Sequence, residues 1–428
     1  VAVVGAGMAG LAAAHALAKK GLAVTVFEKN SYVGGRIRTD VYEGQRIEGG
    51  AQTYFEFYRL TRKLIREVDL AEYETYLPGR TGILRRRKIA DISSGPALLL
   101  DGHLSFRSKL LLGRLLRRLL AHWRQLDHER LERAHALDTK SVAAFAVEEL
   151  NQEILAYVFE PVLSGLFYWR SKEVSQAALF VLLRHALFGL RPMTLRCGLS
   201  SLPRALAQDL DVRVNHTVGQ IGETESGTYR VTGHNGLQEF RCEFDAVICA
   251  TTAAVVPRLI PSLSSAQKRF FQSIKYSQNV NIAVEVDGNP MAETPSLYVP
   301  PAEPHIQTLG AVAQQSHGVI SLFSSATSGA DLVDEPDGVV SSRLVQDFER
   351  ALPTANNGDL RPIAELIYRW PRALPILDVG YFERLRAFQR SMPEPDNLLF
   401  CGDYLGGAII EGAVRSGMDA ANRLICRL

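Results

Sequence analysis

Near the N-terminus, the residues able to do chemistry are three glycines spaced as Gly5-Ala6-Gly7-Met8-Ala9-Gly10, an acid at Glu28, and a guanidinium at Arg36 behind Gly34-Gly35. Gly5 permits a tight turn, Gly7 lets the backbone come close to a pyrophosphate, and Gly10 lets a helix lie against a strand. A helix opening at Met8 and Ala9 offers free N–H groups and the positive end of its dipole to phosphate oxygens. Glu28, about 20 residues further on and followed by Lys29, suits hydrogen bonds from ribose hydroxyls. This is the chemistry of dinucleotide binding; the plain alternative is a βαβ unit with a glycine turn. The spacing alone does not separate FAD from NAD.

The elements that must position these groups are legible around them. Val1 to Val4 is a short apolar run, suited to a strand buried on both faces. Met8 to Lys20 is Ala-rich with Leu11 and Leu17, and Gly21 stands as its C-cap. Val24 to Phe27 makes a second buried strand that delivers Glu28 to its end.

The continuation Tyr32-Val33-Gly34-Gly35-Arg36 resembles the second fingerprint of the flavoprotein family that includes amine oxidases, protoporphyrinogen oxidases and phytoene desaturases. The resemblance implies FAD, with Gly34, Gly35 and Arg36 approaching its pyrophosphate; a guanidinium forks well onto phosphate oxygens. Gly49-Gly50-Ala51-Gln52 is similar to the segment that runs beneath the isoalloxazine ring, the alternative being a glycine bulge in a strand. The resemblance further implies that Val218 meets the adenine through its backbone. Ala250 and Thr251 would lie close to the dinucleotide at the end of the apolar strand Ala246 to Thr251. Near the C-terminus, Gly402-Asp403 and the helix opening at Glu411-Gly412-Ala413 resemble the way this family closes its FAD site. Asp403 would bind the ribityl or pyrophosphate region, and N–H groups at the helix start, around Ile410 and Ala413, would face the flavin pyrimidine edge. Negative charge develops there on reduction, and a helix N-terminus stabilises it. The segment Trp370-Pro371-Arg372-Ala373-Leu374-Pro375 is similar to a Trp/Tyr-Pro-x-Ala-x-Pro stretch of the protoporphyrinogen oxidase-like branch. The resemblance covers essentially the full length.

The expected fold class is therefore α/β (α+β overall), a Rossmann-like FAD-binding domain with a second substrate domain of mixed sheet and helices. The FAD-binding domain is expected to be discontinuous, over 1–75, 195–270 and 386–428, with substrate-domain segments 76–194 and 271–385. Hairpins are expected over Gly82 to Ile92 and from Tyr229 to Cys242, a helix over Arg59 to Leu70, and strands over Ile274 to Val286 and Gly318 to Ser325.

Composition narrows the classes. The chain has 428 residues, 46% hydrophobic and 22% charged, and a formal net charge of +2, which gives no reason to expect nucleic acid. Five cysteines with no CxxC pair indicate neither a disulfide framework nor a zinc site, so no metal and a reducing compartment are expected. No run of 18 apolar residues exists, and the opening strand leaves no room for a signal peptide, so a cytoplasmic protein is expected. A basic amphipathic helix near 107–124 bears on membranes. Leu111, Leu112, Leu115, Leu116, Leu119, Leu120 and Trp123 fall on one half, and Arg114, Arg117, Arg118 and Arg124 on the other. It could make peripheral contact with an anionic membrane; such helices more often pack on their own domain with a solvated face.

Ser141 to Phe188 reads as helical, broken near Pro161 and Gly165. Its aromatic cluster of Phe159, Phe167, Tyr168, Trp169, Phe180 and Phe188 suits a core more readily than an apolar pocket. Flavin amine oxidases generally carry a lysine near the flavin, in a strand that here reads Gln278 to Val284 without one; Lys275 lies earlier. Where they place aromatics, this chain has Ile409, Ile410 and Leu374 to Leu377. The reading is an FAD-dependent oxidase or dehydrogenase/desaturase that removes hydride from a largely apolar substrate such as a porphyrinogen or polyene. Its electron acceptor would be O2 or another acceptor, and no catalytic acid or base stands out. The alternatives are an amine oxidase lacking the usual markers, and a non-redox flavin-bearing mutase or binding protein.

Overall fold

Ala2–Val4, which is buried on both faces, lies at the centre of a parallel sheet in the computed structural model, which describes residues 1–100, 102–187, 190–352, 360–391 and 397–427. The strand order is Asp211–Arg213, Thr25–Phe27, Ala2–Val4, Val247–Cys249, Leu398–Phe400, so that strands from both ends of the chain meet in one sheet. The register is continuous: Val4 stands beside Phe27 on one side and Cys249 on the other. This brings the carboxyl ends of the strands, where Gly5, Glu28, Ala250 and Gly402 follow, to one edge, as ligand-binding α/β sheets require.

Helix Met8–Ala18 covers this sheet and buries eight of its eleven residues. The terminal helix Ile410–Ile425 packs along it so closely that a Cβ on Gly417 would stand 2.0 Å from the Ala9 carbonyl oxygen. Only glycine allows that approach. A three-stranded antiparallel sheet, Thr217–Glu223, Tyr229–Asn235 and Gln238–Phe244, hangs beside the parallel one; within it Val218 is buried and pairs with Gly233.

The larger sheet is mixed and seven-stranded, in the order Arg361–Trp370, Asn279–Glu285, Val319–Ser324, Leu309–Ser316, Ser296–Tyr298, Thr81–Arg85, Lys88–Asp91. Helix Asp337–Ala351 lays Val340, Leu344 and Phe348 on it. The expected Gly82 to Ile92 hairpin is present, with Arg86 and Arg87 at positive φ in its turn. Strands Ser296–Tyr298 and Leu309–Ser316 carried no clear alternation and were not foreseen.

The helical layer departs from expectation in three places. The expected break near Gly165 is present, since helix Glu160–Leu166 ends one residue after it, whereas Pro161 breaks nothing: it lies in the first turn of that helix, which continues directly from the π-helical turn Leu155–Phe159. Gly165 is needed there for packing: a Cβ would stand 2.6 Å from the Gly310 carbonyl. A further break falls around Leu150-Asn151, and the one after Leu166 extends to Ser175. The basic amphipathic helix runs Phe106–Ala121, capped by Ser105, and ends before Trp123. Leu111, Leu115 and Leu119 are buried, whereas Leu116 and Leu120 are exposed. Arg118, expected on the solvated half, turns inward to pair with Glu149 and lie over the Phe145 ring. The helix is thus first of all packed on its own protein. Phe188 lies outside the described residues.

Candidate functional site

The first glycine turn is held by the chain's own carboxylate. Gly5 takes φ +109°, and a Cβ on it would meet the Ala250 carbonyl oxygen at 2.9 Å; one on Gly10 would meet the Gly5 oxygen at 2.0 Å. A Cβ on Gly7, by contrast, would meet nothing within 4 Å. The turn is therefore tight behind and open in front, the shape a phosphate needs. Glu28, buried at the end of its strand, accepts from the Ala6 N–H at 2.8 Å through Oε2. Its Oε1 accepts from the Asn30 N–H and Nδ2 at 2.9 and 2.8 Å. A carboxylate has about four lone-pair sites, so Oε2 keeps capacity for a further donor. Lys29 is exposed at the strand end, and Met8 and Ala9 are buried at the helix start.

The second fingerprint docks on the first. Gly34 donates its N–H to the Ala6 oxygen at 2.8 Å, and Gly7 pairs with Gly34 in an isolated parallel bridge. Gly35, at φ +61°, lies so near that its Cβ would be 3.3 Å from the Gly7 Cα. Arg36 then reaches across to the C-terminal part of the chain: Nη1 is 2.7 Å from Asp403 Oδ2 and donates to the Ala373 oxygen at 2.7 Å. Burial works to lower the Arg36 pKa, and the facing Asp403 carboxylate outweighs it, so the guanidinium is held charged. Nε and Nη2 remain as donors among the described residues. Thr251 is half-buried beside Ala250, whose N–H is bonded to the Val4 oxygen.

Gly49 to Gln52 packs against the Arg36 backbone and brings Gln52 to the cavity, as the expected flavin floor. A Cβ on Gly50 would stand 2.1 Å from the Arg36 oxygen, and the Ala51 N–H bonds to that same oxygen at 3.0 Å. Tyr368 packs against Gly49, while Trp370 Nε1 and Asn281 Nδ2 donate to the Gly49 oxygen at 2.9 and 3.2 Å. Gln52 donates to the Glu48 and Gly50 oxygens and accepts from Gln315, which ties the segment to the larger sheet. Beneath it Glu48 is buried; it accepts from the Leu199 N–H at 2.9 Å and Thr39 Oγ1 at 2.8 Å. Burial raises its pKa to about 7, although both hydrogen bonds pull the other way.

At the terminal helix, Ile409 is the N-cap and Ile410 the first helical residue, with the Ala413 N–H bonded back to the Ile409 oxygen. Glu411 does something the sequence did not suggest. Its carboxylate accepts from the N–H groups of Leu60 and Thr61 at 2.8 and 2.9 Å and from Thr61 Oγ1 at 2.7 Å, so it caps helix Arg59–Glu67 from outside. No local motif announces a cap supplied from 350 residues away.

In front of this framework opens a cavity of about 500 Å³. It begins at Gln52, Thr53 and Ile409 and runs to Leu112, Leu115 and Leu119 of the amphipathic helix. Phe159, Phe167, Tyr168 and Trp169 line it; the aromatic cluster is thus largely pocket wall, and only Phe180 of the described members stays in the core behind. Aspartate and glutamate are absent from the described lining, and Lys109 is its one lysine. Lys275 is exposed and lies 3.7 Å from Asp378, away from this lining.

The sequence profile of flavin containing amine oxidoreductases matches residues 8–425. The chain belongs to the flavin containing amine oxidoreductase family. It is also similar to protoporphyrinogen oxidase 2 of Arabidopsis thaliana, 22% identical with 100% of this chain and 94% of that protein covered. Probable polyamine oxidase 4 of the same plant is 24% identical, with 98% and 86% covered. Among solved structures, cyclohexylamine oxidase of Brevibacterium oxydans IH-35A shares the fold at a TM-score of 0.78, with 18% identity and 100% and 99% covered. As a member of the flavin containing amine oxidoreductase family, the protein is an FAD-dependent oxidoreductase.

The residues present fit FAD. The cradle is open in front of Gly7, Glu28 has spare acceptor capacity, Arg36 has free donors, and an apolar cavity adjoins the Gly49–Gln52 floor. Within the flavin containing amine oxidoreductase family, what the sequence reading missed was side chains acting at long range. Glu48, Gln315 and Tyr368 carry no role in that reading, and Glu411 enters it only within the Glu411-Gly412-Ala413 motif, which says nothing of the cap it supplies; only the folded chain shows these contacts.

Proposed function

We propose that the protein oxidises a carbon of a largely apolar, ring- or chain-conjugated substrate, a porphyrinogen or polyene, passing the electrons to O2 or another acceptor. The observation that carries this reading is the cavity wall. About 500 Å³ of space is faced by leucines and aromatic rings, with no carboxylate among its described lining residues to hold an ammonium group. The full-length likeness to a protein named protoporphyrinogen oxidase supports it; the likeness to a polyamine oxidase keeps amines in the test.

In this reading the FAD site is held by Gly5, Gly7, Met8, Ala9, Gly10, Glu28, Lys29, Gly34, Gly35, Arg36, Gly49 to Gln52, Val218, Ala250, Thr251, Gly402, Asp403, Ile410 and Ala413. Segments 1–75, 195–270 and 386–428 form the FAD domain, the remainder the substrate domain. FAD, when bound, supplies the two-electron chemistry. The chain's own contribution is positional. Arg36 and Asp403 fix the two ends of the fold around the cofactor, Gln52 and Gln315 hold the floor, and the leucine and phenylalanine walls exclude water from the substrate carbon.

Amphipathic helix Phe106–Ala121 both lines the cavity and leaves Phe106, Leu110 and Leu120 exposed at 76%, 60% and 57%. We propose that this apolar rim, beside Arg114, Arg117 and Arg124, makes peripheral contact with an anionic bilayer. Among the described residues no helix is long and apolar enough to cross one.

Anaerobic flavin bleaching against porphyrinogens, polyenes and simple amines tests the substrate reading. Porphyrinogens or polyenes should bleach the flavin at least about tenfold faster than amines, as a desolvated ammonium without a counter-charge requires. Rapid bleaching by a simple amine would overturn it.

A further inference from the structure

Two tyrosines on the cavity wall leave their hydroxyls unused. Tyr168 and Tyr298 both line the cavity, and both are half-buried. Neither hydroxyl has a hydrogen-bond partner among the described residues, and neither is sealed from solvent; the Tyr404 hydroxyl, by contrast, is unpartnered and sealed. The pair comes from two elements that pack on each other. Tyr298 ends strand Ser296–Tyr298 of the larger sheet, and its ring lies where a Cβ on Gly165 would meet it at 2.8 Å. Tyr168 follows Gly165 by three residues, just beyond helix Glu160–Leu166. Burial pushes both phenols up, Tyr298 to about 12, and the neighbouring Tyr298 adds to the rise at Tyr168, so both keep their protons at physiological pH. Tyr168 has φ +57°, a left-handed conformation that strains a bulky residue. Its neighbours hold it there. Phe167 and Trp169 stack at 4.8 Å, the Trp169 N–H donates to the Leu163 oxygen at 2.8 Å, and Trp169 Nε1 donates to the Pro375 oxygen at 3.1 Å. A strained residue that keeps an unused donor in a binding cavity points to a ligand group that the donor meets.

We propose that Tyr168 and Tyr298 form a paired hydrogen-bond donor for an acceptor oxygen, that of a ketone or a carboxylate, carried by an otherwise apolar substrate. The proposal rests on the reading of the cavity as the substrate's. Two features select the acceptor. Each phenol has one proton to donate, and two phenols from different elements can converge on the lone pairs of one carbonyl oxygen or on the two oxygens of one carboxylate. The charge around the cavity also has one sign. Lys109 is the only charged side chain on the described lining, and Arg184 and Arg415 add positive charge beside the neutral rings of His128 and His185. Such a field favours an electron-rich oxygen and repels an ammonium. The histidines do not take this role: His185 stacks on Phe57 at 4.3 Å and 9°, and its Nε2 is shielded from solvent. Tyr298 pairs with Ala311, four residues along its strand from Gln315, which bonds Gln52 of the floor. At about 3.3 Å per residue, the two backbone positions stand roughly 13 Å apart. The acceptor oxygen is thus carried at a distance from the carbon that lies over the floor.

The test is a head-group series on one chain length. Octane, 2-octanone, octanoate and octylammonium are titrated into the FAD-loaded protein, with binding read from the flavin absorbance spectrum and from tryptophan fluorescence, since Trp169 lines the cavity. 2-Octanone, octanoate or both should bind about tenfold more tightly than octane, the yield of two hydrogen bonds in a dry site; the tighter of the two tells a ketone from a carboxylate. Tyr168→Phe and Tyr298→Phe keep the rings and remove the donors. Each should cut the advantage about threefold and the double variant should abolish it, with octane affinity unchanged. Either single variant carries the test if the other does not fold. An advantage that survives loss of both hydroxyls overturns the anchor, as does tighter binding of octylammonium than of both oxygen compounds. If octane binds and neither oxygen compound gains over it, the anchor alone fails. If no octyl compound binds, the apolar reading of the cavity fails with it.

Discussion

Two glycines three residues apart do opposite work, and substitution separates them. Gly7 has φ −74°, which any residue adopts, and open space in front of it. Gly7→Ala should therefore leave the folded chain within about 0.5 kcal/mol of its stability while FAD retention on purification falls several-fold. Gly10→Ala puts a methyl against the Gly5 oxygen, a contact of 2.0 Å that the packed helix cannot relieve. It should lower the unfolding midpoint whether or not flavin is present. Flavin absorbance per protein and a melting curve distinguish the two; equal flavin occupancy in Gly7→Ala and the parent would remove Gly7 from the phosphate cradle. The tight packing at Gly5 and Gly10 was readable from spacing, because the strain of a tight turn is written in residue type. The roles of Glu48 and His185 were not, since burial and stacking depend on residues far away in the chain.

Among the elements, helix Arg59–Glu67 shows how far an end can borrow its cap. Its first N–H groups have no capping side chain of their own, and Glu411 of the terminal helix supplies both acceptors. Glu411→Ala strands those donors in a buried place and should cost about 1–2 kcal/mol. A lowered unfolding midpoint checks this; an unchanged one would show that water replaces the carboxylate. Helix Phe106–Ala121 makes the second case. Its buried seam of Leu111, Leu115 and Leu119 was legible as periodicity, yet the same pattern could not say which leucines face the protein. If its exposed rim meets a bilayer, vesicles containing anionic lipid should sediment the protein at low salt and release it as salt rises, because the arginine term is screened. Phe106→Asp should weaken sedimentation. Failure to bind at low salt rules the contact out.

For the molecule as a whole, three titratable groups, the buried Glu48 and the half-buried His128 and His185, shape stability against pH. Glu48 is raised to about 7, so the folded state holds a proton that the unfolded state has lost, and stability falls as pH rises from about 4.5 to 7. That shift corresponds to about 3 kcal/mol. His128 and His185 are depressed, so stability is present above the ordinary histidine value and is lost as pH falls through about 4 and 3. The opposing slopes place the optimum from these groups near pH 6.5. Denaturant unfolding of the FAD-loaded protein between pH 5 and 8 should show it, and Glu48→Gln should flatten the alkaline side; an unchanged alkaline slope would show that Glu48 ionises freely. At this scale the centre of the parallel sheet was legible in the sequence, because its inner strands are short apolar runs, with glycine following at Gly5 and Gly402. The mixed sheet was legible only in part: Leu309–Ser316 is half-buried towards one end and shows no alternation. The cavity was least legible, since the same aromatics fill a core or wall a pocket.

Gly417 against Ala9 has a consequence for how the chain comes into being. One face of helix Met8–Ala18 is covered by residues made about 400 positions later in the chain. At ordinary translation speeds that is a wait of roughly 20–80 s with an apolar, alanine-rich surface uncovered. The edge strand Leu398–Phe400 arrives equally late. Completion of the parallel sheet thus waits for some 400 further residues of synthesis, which gives chaperones a long interval in which to act and makes loss of the segment from Leu398 damaging far out of proportion to its length.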